Sequence, residues 1–149
     1  MPHADFNQNL SDNFRLSEFT ASRTANRLGI DNAPGEREVD NLKRLCRLFL
    51  QPVREFYGEP VVITSGYRCP KLNEAVGGVP DSLHQTGEAA DFYVAGGPNA
   101  KAVFYDLKSE DLVFEELILY PDEHRLHVAV TGQNDRETFI EKGGEYVPA

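Results

Sequence analysis

Two cysteines, one methionine and no tryptophan occur in a chain of 149 residues. Cys46 falls inside a helical pattern and Cys69 in a loop, so the pair cannot build the disulfide framework of a small secreted scaffold, and neither has zinc-finger spacing. Both are expected as reduced thiols. No run approaches the roughly 20 apolar residues that span a bilayer, which argues against a membrane partner. Positive charge is also scarce: 15 basic side chains against 24 acidic ones leave a net charge of -9. The only basic cluster is Lys43-Arg44 plus Arg47, a poor match to a phosphate backbone, and no nucleic-acid partner is expected. The opening Met1-Pro2-His3-Ala4-Asp5-Phe6 has neither the basic nor the apolar region of a signal peptide, so export by a leader of its own is not expected.

Apolar residues make up 40% and charged residues 26%, with nine Phe and six Tyr, a balance that suits a folded chain. The length fits one domain. Residues 1–15 are polar and Asn-rich and read as a mobile arm, leaving 16–149 as the single domain. Leu16-Ser17-Glu18-Phe19 opens ordered structure, with Ser17 in the place of an N-cap. Val39, Leu42, Leu45, Cys46, Phe49, Val53 and Phe56 recur at steps of three and four, which predicts an amphipathic helix over about 36–57. Pro52 should kink or divide it. Val61 to Thr64, Ala89 to Val94, Leu117 to Tyr120 and Leu126 to Val130 read as strands, and short helices are predicted near 71–76 and 100–108. The result is an α+β domain: a small, mostly antiparallel sheet with helices packed on it.

The chemistry gathers in three places. His84 stands in the loop Ser82-Leu83-His84-Gln85-Thr86-Gly87, and Asp91 follows seven residues later inside a strand otherwise built of Ala, Phe, Tyr and Val. An ionised carboxylate there is costly unless it is paired or metal-bound. His127 sits in an equally apolar strand, so two adjacent strands could aim Asp91 and His127 at one point while the loop supplies His84. On the residues alone two readings stay open. In one, His84 is a surface residue, Asp91 caps a turn and His127 is a hydrogen-bonded strand histidine. In the other, two imidazoles and a carboxylate hold zinc and leave a fourth position for a water of lowered pKa.

Ser82-x-His84-x-x-Gly87-x-Ala89-x-Asp91, preceded by Ser65-Gly66-Tyr67-Arg68 and followed by His127-Val128, resembles the zinc D-alanyl-D-alanine carboxypeptidases. That family also includes D-alanyl-D-alanine dipeptidases and the L-alanyl-D-glutamate endopeptidases of phage lysins. The resemblance runs over roughly residues 16–130, with Leu16-Ser17-Glu18-Phe19 and Asn73-x-x-Val76-Gly77-Gly78 included. It implies a hedgehog-like or D-Ala-D-Ala-peptidase-like fold, zinc on His84, Asp91 and His127, and peptidoglycan stem peptide as the partner. It also implies that Arg68 holds the scissile carbonyl and its developing charge, a task suited to a forked, permanently charged guanidinium. Tyr67 reads as packing.

The general base departs from the family pattern. Many relatives carry Glu three residues before the second histidine, where this chain has His124, and short relatives often end the preceding strand with Glu, where this chain has Tyr120. His124 is the candidate base, since an imidazole can accept and return a proton near neutral pH. Glu123 and Glu116 are the carboxylate substitutes. Without a base, the domain becomes a silent zinc module that binds wall peptide or a protein. A third reading takes His84, Asp91 and His127 as a two-histidine, one-carboxylate iron site. The resemblance and the small size point to a monomeric phage or prophage protein acting on the cell wall. Which bond it cuts depends on how loops such as 77–81 and the tail from Thr131 close the cleft.

Overall fold

The structure, a computed structural model, describes residues 5–149. Its centre is a six-stranded sheet in the order β3-β4-β6-β5-β7-β8. These strands are β3 (Val61–Ser65), β4 (Ala89–Val94), β5 (Glu116–Tyr120), β6 (Arg125–Ala129), β7 (Glu137–Lys142) and β8 (Glu145–Pro148). All neighbours pair antiparallel except β5 and β7, which run parallel. Six helices, α1 (Leu16–Thr20), α2 (Arg23–Leu28), α3 (Glu36–Leu45), α4 (Gln51–Tyr57), α5 (Pro70–Ala75) and α6 (Ala100–Ser109), complete the α+β domain.

Strand alternation divides each strand between two environments. Ala90, Phe92 and Val94 of β4 face the core, as do Leu117 and Leu119 of β5 and Leu126 and Val128 of β6. The long helical pattern supplies the other wall with Val39, Leu42, Leu45, Phe49, Leu50 and Val53. Phe49 meets Phe92 and Phe114 edge-on, with ring centroids 5.9 and 5.8 Å apart. Each such fully buried side chain contributes roughly 1.5–3 kcal/mol of transfer free energy. The opposite sheet face carries Asp91, Arg125 and His127, and it is where the site lies.

The predicted helix over 36–57 is present, but a π-helical turn, Cys46–Leu50, separates α3 from α4. Pro52 follows that turn at the start of α4, where its missing N–H and its ring conflict least with the preceding carbonyls.

Two expectations require correction. The N-terminal segment is not a free arm over 5–15: β1 (Asn9–Ser11) and β2 (Phe14–Arg15) pair, and Leu10 and Phe14 join the core. Buried Gln51 fastens this pair, accepting from Ser11 Oγ at 2.6 Å and the Asn13 backbone N–H at 3.0 Å while donating to Asn13 Oδ1 at 2.7 Å. Polar composition concealed two apolar anchors. The part of the expected arm at 1–4 lies outside the described residues. Ser17 is also inside α1 rather than capping it; Arg15 is the N-cap residue, and the Glu18 carboxylate reaches back to accept its N–H at 2.7 Å.

The segment after Thr131, read as a tail, forms the hairpin β7–β8 and extends the sheet. Arg136 ties its base to the end of α6, donating to the carbonyls of Lys108, Glu110 and Leu112.

Candidate metal centre and its two clefts

The motif positions around His84 each have a geometric cause. Ser82 Oγ accepts the His84 backbone N–H at 3.3 Å and starts a short 3-10 turn, Leu83–Thr86. Gly87 ends that turn at φ 78°, and a Cβ there would lie 2.5 Å from the Glu38 carbonyl of α3, so glycine is required by both conformation and space. Ala89 is fully buried at the start of β4. Two residues later, on the same face, comes Asp91.

Across the sheet, Asp91 pairs directly with His127. His127 Nδ1 lies 2.8 Å from Asp91 Oδ1, and His84 Nε2 lies 3.4 Å from the same oxygen. His84 is almost wholly buried, and its Nδ1 stands 2.7 Å from the Gly66 carbonyl oxygen. Only a donor can face a carbonyl, so Nδ1 carries a proton and Nε2 is the ring atom turned toward the carboxylate. Nε2 is thus the atom His84 would offer to a cation held beside that oxygen. One donor atom from each of His84, Asp91 and His127 can be chosen so that all lie within 4.8 Å of one another. Burial by itself raises the Asp91 carboxyl pKa, but hydrogen bonds and charge from His127 and His84 outweigh it and hold the group well below the usual carboxylate range. The donor set, two imidazoles and one ionised carboxylate, suits a divalent metal.

A second layer fixes the carboxylate. Arg125 Nη1 donates to Asp91 Oδ2 at 3.1 Å, and its Nη2 reaches Glu123 Oε2 at 3.0 Å. The same guanidinium lies 3.8 Å above the Tyr120 ring, whose hydroxyl is 2.9 Å from that of Tyr146 on β8. Sequence reasoning missed Arg125, although its signal was available: it precedes His127 by two and therefore shares its strand face.

Arg68 follows β3, and its backbone N–H donates to the His84 carbonyl at 3.0 Å. Its side chain borders a cleft of about 670 Å³ together with Arg23, Arg125 and Asp91. Burial lowers its pKa, the charge of Asp91 opposes that, and the charge of Arg125 adds to it. Gly78 leaves room for this side chain: a Cβ there would sit 2.1 Å from Asn73 Oδ1 and 2.9 Å from Arg68 Nη1. Tyr67 is buried, as packing requires.

The three base candidates part company. His124 ends the β5–β6 turn in the left-handed region at φ 50°, exposed, and borders a separate shallow pocket with Thr64 and Tyr93. Glu123 is occupied by Arg125. Glu116 faces the trio, its Oε1 3.8 Å from His127 Nε2. Burial raises its carboxyl pKa, with His127 pulling it down and Glu137 and Glu115 pushing it up.

A family model for peptidase M15 matches residues 12–129, which takes in every residue of the trio, Arg68 and all three base candidates. The chain belongs to the peptidase M15 family. No curated protein matches it. Membership makes this a chain of the metallopeptidase class, in keeping with the His84–Asp91–His127 cluster. The matched region stops before β7, so the C-terminal hairpin lies outside it. A second cleft, about 490 Å³, opens between that hairpin, the 79–83 loop and His127. No helix among the described residues is long and apolar enough to cross a membrane.

Proposed function

We propose that this peptidase M15 chain is a zinc-dependent hydrolase of peptidoglycan stem peptides, cutting an amide beside a D-amino acid. The supporting observation is the convergence of His84, Asp91 and His127 beside a cleft lined by Arg68. His84, through its Nε2 lone pair, Asp91 and His127 would hold the ion. A bound zinc supplies an acidified water and polarises the scissile carbonyl. The chain's own residues do the rest. Arg68 directs charged N–H donors into the cleft where negative charge develops on the substrate oxygen. Arg125 holds Asp91 in one orientation. Glu116 accepts the proton and returns it to the leaving amine, because of the three candidates it alone approaches a member of the trio. His124 is the competing assignment.

The test joins metal analysis to product identification. Protein purified without added metal should carry one zinc per chain, and His127→Ala should lose it. Defined muropeptides should be cut with masses that report the bond. Glu116→Gln should lower turnover by about 100-fold to 10,000-fold under saturating zinc, with His124→Ala close to unmutated. The opposite order moves the base to His124. Iron in place of zinc, or zinc with no cleavage of any muropeptide, would support the iron-site and silent-module readings respectively.

A further inference from the structure

The register places the trio in a row of residues that crosses the whole sheet. Ser65 pairs with Asp91, Asp91 with His127, His127 with Ile118, Ile118 with Phe139, and Phe139 with Pro148. Asp91 and His127 are the second and third of its six members, so a substrate lying across the row extends to both sides of them. The two sides differ in charge. On the β3 side the cleft is lined by Arg23, Arg68 and Arg125. On the β7–β8 side no lysine or arginine lines the cleft; its walls are Val79, Leu83, Ile118, Phe139 and Tyr146, and its carboxylates are Glu116 beside His127 and Asp81 on the loop. Asp81 is exposed and pairs with no cation among the described residues.

We infer that the hairpin-side cleft is a subsite for the side chain of a diamino acid, of the lysine class, in the substrate peptide. The inference rests on the stem-peptide reading above and adds the orientation: substrate carboxylates toward the arginines, substrate amine toward the hairpin. An aliphatic stem lies on the apolar wall made by Ile118, Phe139 and Tyr146 while its ammonium reaches Asp81 at the wet rim, the arrangement long cationic side chains adopt on mixed surfaces. Phe139 and Tyr146 lie beyond the residues matched by the family model, so the C-terminal hairpin supplies part of this wall. Its place directly beside His127 makes it a determinant of which residue stands next to the cut bond.

The experiment uses the zinc-loaded full chain and two synthetic stem tetrapeptides that differ only in the third residue, lysine or Nε-acetyl-lysine. Where turnover occurs, kcat/KM is compared; where it does not, calorimetry gives Kd for the same peptides. The free amine should be preferred by about 10-fold, the worth of one charge-assisted contact. Asp81→Asn should erase the preference without slowing turnover of the acetylated peptide, and Asp81→Lys should reverse it. Equal treatment of the two peptides by the unmutated protein, or a preference that survives Asp81→Lys, overturns the subsite. Binding with the amine preference but without cleavage would leave the subsite standing and remove the hydrolase reading, whereas no binding of either peptide removes both.

Discussion

The Arg125 guanidinium clamps Asp91 from the side opposite the two histidines, 3.1 Å from Oδ2, while Oδ1 is left to His127 and His84. Each carboxylate oxygen therefore has a separate task. Tyr120 beneath the guanidinium, 3.8 Å away, and Glu123 at its other nitrogen hold the fork in plane. Partners of metal ligands typically matter by about 10-fold to 100-fold in metal affinity. Arg125→Met should weaken zinc binding by that amount in a chelator competition, with the fold retained by circular dichroism. Unchanged affinity would mean that His84 and His127 alone orient the carboxylate.

In the proposed reaction Arg68, which lines the arginine-side cleft, acts on substrate rather than on metal. Arg68→Lys keeps a positive charge but loses the forked donors, so zinc content should stay at one per chain while kcat falls on the order of 100-fold to 1,000-fold. Turnover equal to the unmutated protein would exclude it from the reaction.

Tyr67 connects the site's frame to alkaline stability. Burial, reinforced by charge from Cys69, Glu38 and Asp31, pushes its hydroxyl from 10.0 up to about 12. The folded state holds this proton more tightly than the unfolded chain. The contribution is therefore complete below about pH 10 and disappears as pH rises through about 12, a loss of about 2–3 kcal/mol over that window. Urea unfolding of Tyr67→Phe should show a flatter decline across the same range. A decline as steep as in the unmutated protein would assign the alkaline loss to other groups.

The two thiols should differ sharply in reactivity. Cys46 is fully enclosed at the π-helical turn, and its thiol is pushed far up by burial, with Glu18 adding and a Ser11 hydrogen bond opposing. Cys69 is half-buried at the start of α5, where its sulfur accepts the Leu72 N–H at 3.4 Å. Alkylation of the native protein followed by mass mapping should mark Cys69 and spare Cys46 until the chain is unfolded. Equal labelling of both in the native state would contradict the packing of α3 against the sheet.

Local chemistry singled out His84, Asp91 and His127, which the fold brings together, and most of the elements that carry them. His84, Gly87, Ala89 and Asp91 are spaced by one short turn and one strand, so their relative placement depends on a few residues whose conformations are nearly dictated by Ser82 and Gly87. The periodicity over 36–57 and the β-branched run at 61–64 are likewise local, and both elements formed there. What no local pattern could decide was partnership across the sheet. Polar residues 9–15 were held by Leu10, Phe14 and a glutamine about forty positions away. The segment after Thr131 became a hairpin because β5 offered it a parallel edge and Arg136 found the carbonyls at the end of α6. The general base was undecidable for the same reason. The sequence put His124 first with Glu123 and Glu116 as substitutes, and only the pairing of Glu116 with Ala129 and of Ile118 with His127 sets one carboxylate beside the trio and leaves the imidazole on an exposed turn. Strand register, a property of two segments at once, made that distinction, because a side chain's face is fixed only when its strand has found its neighbour.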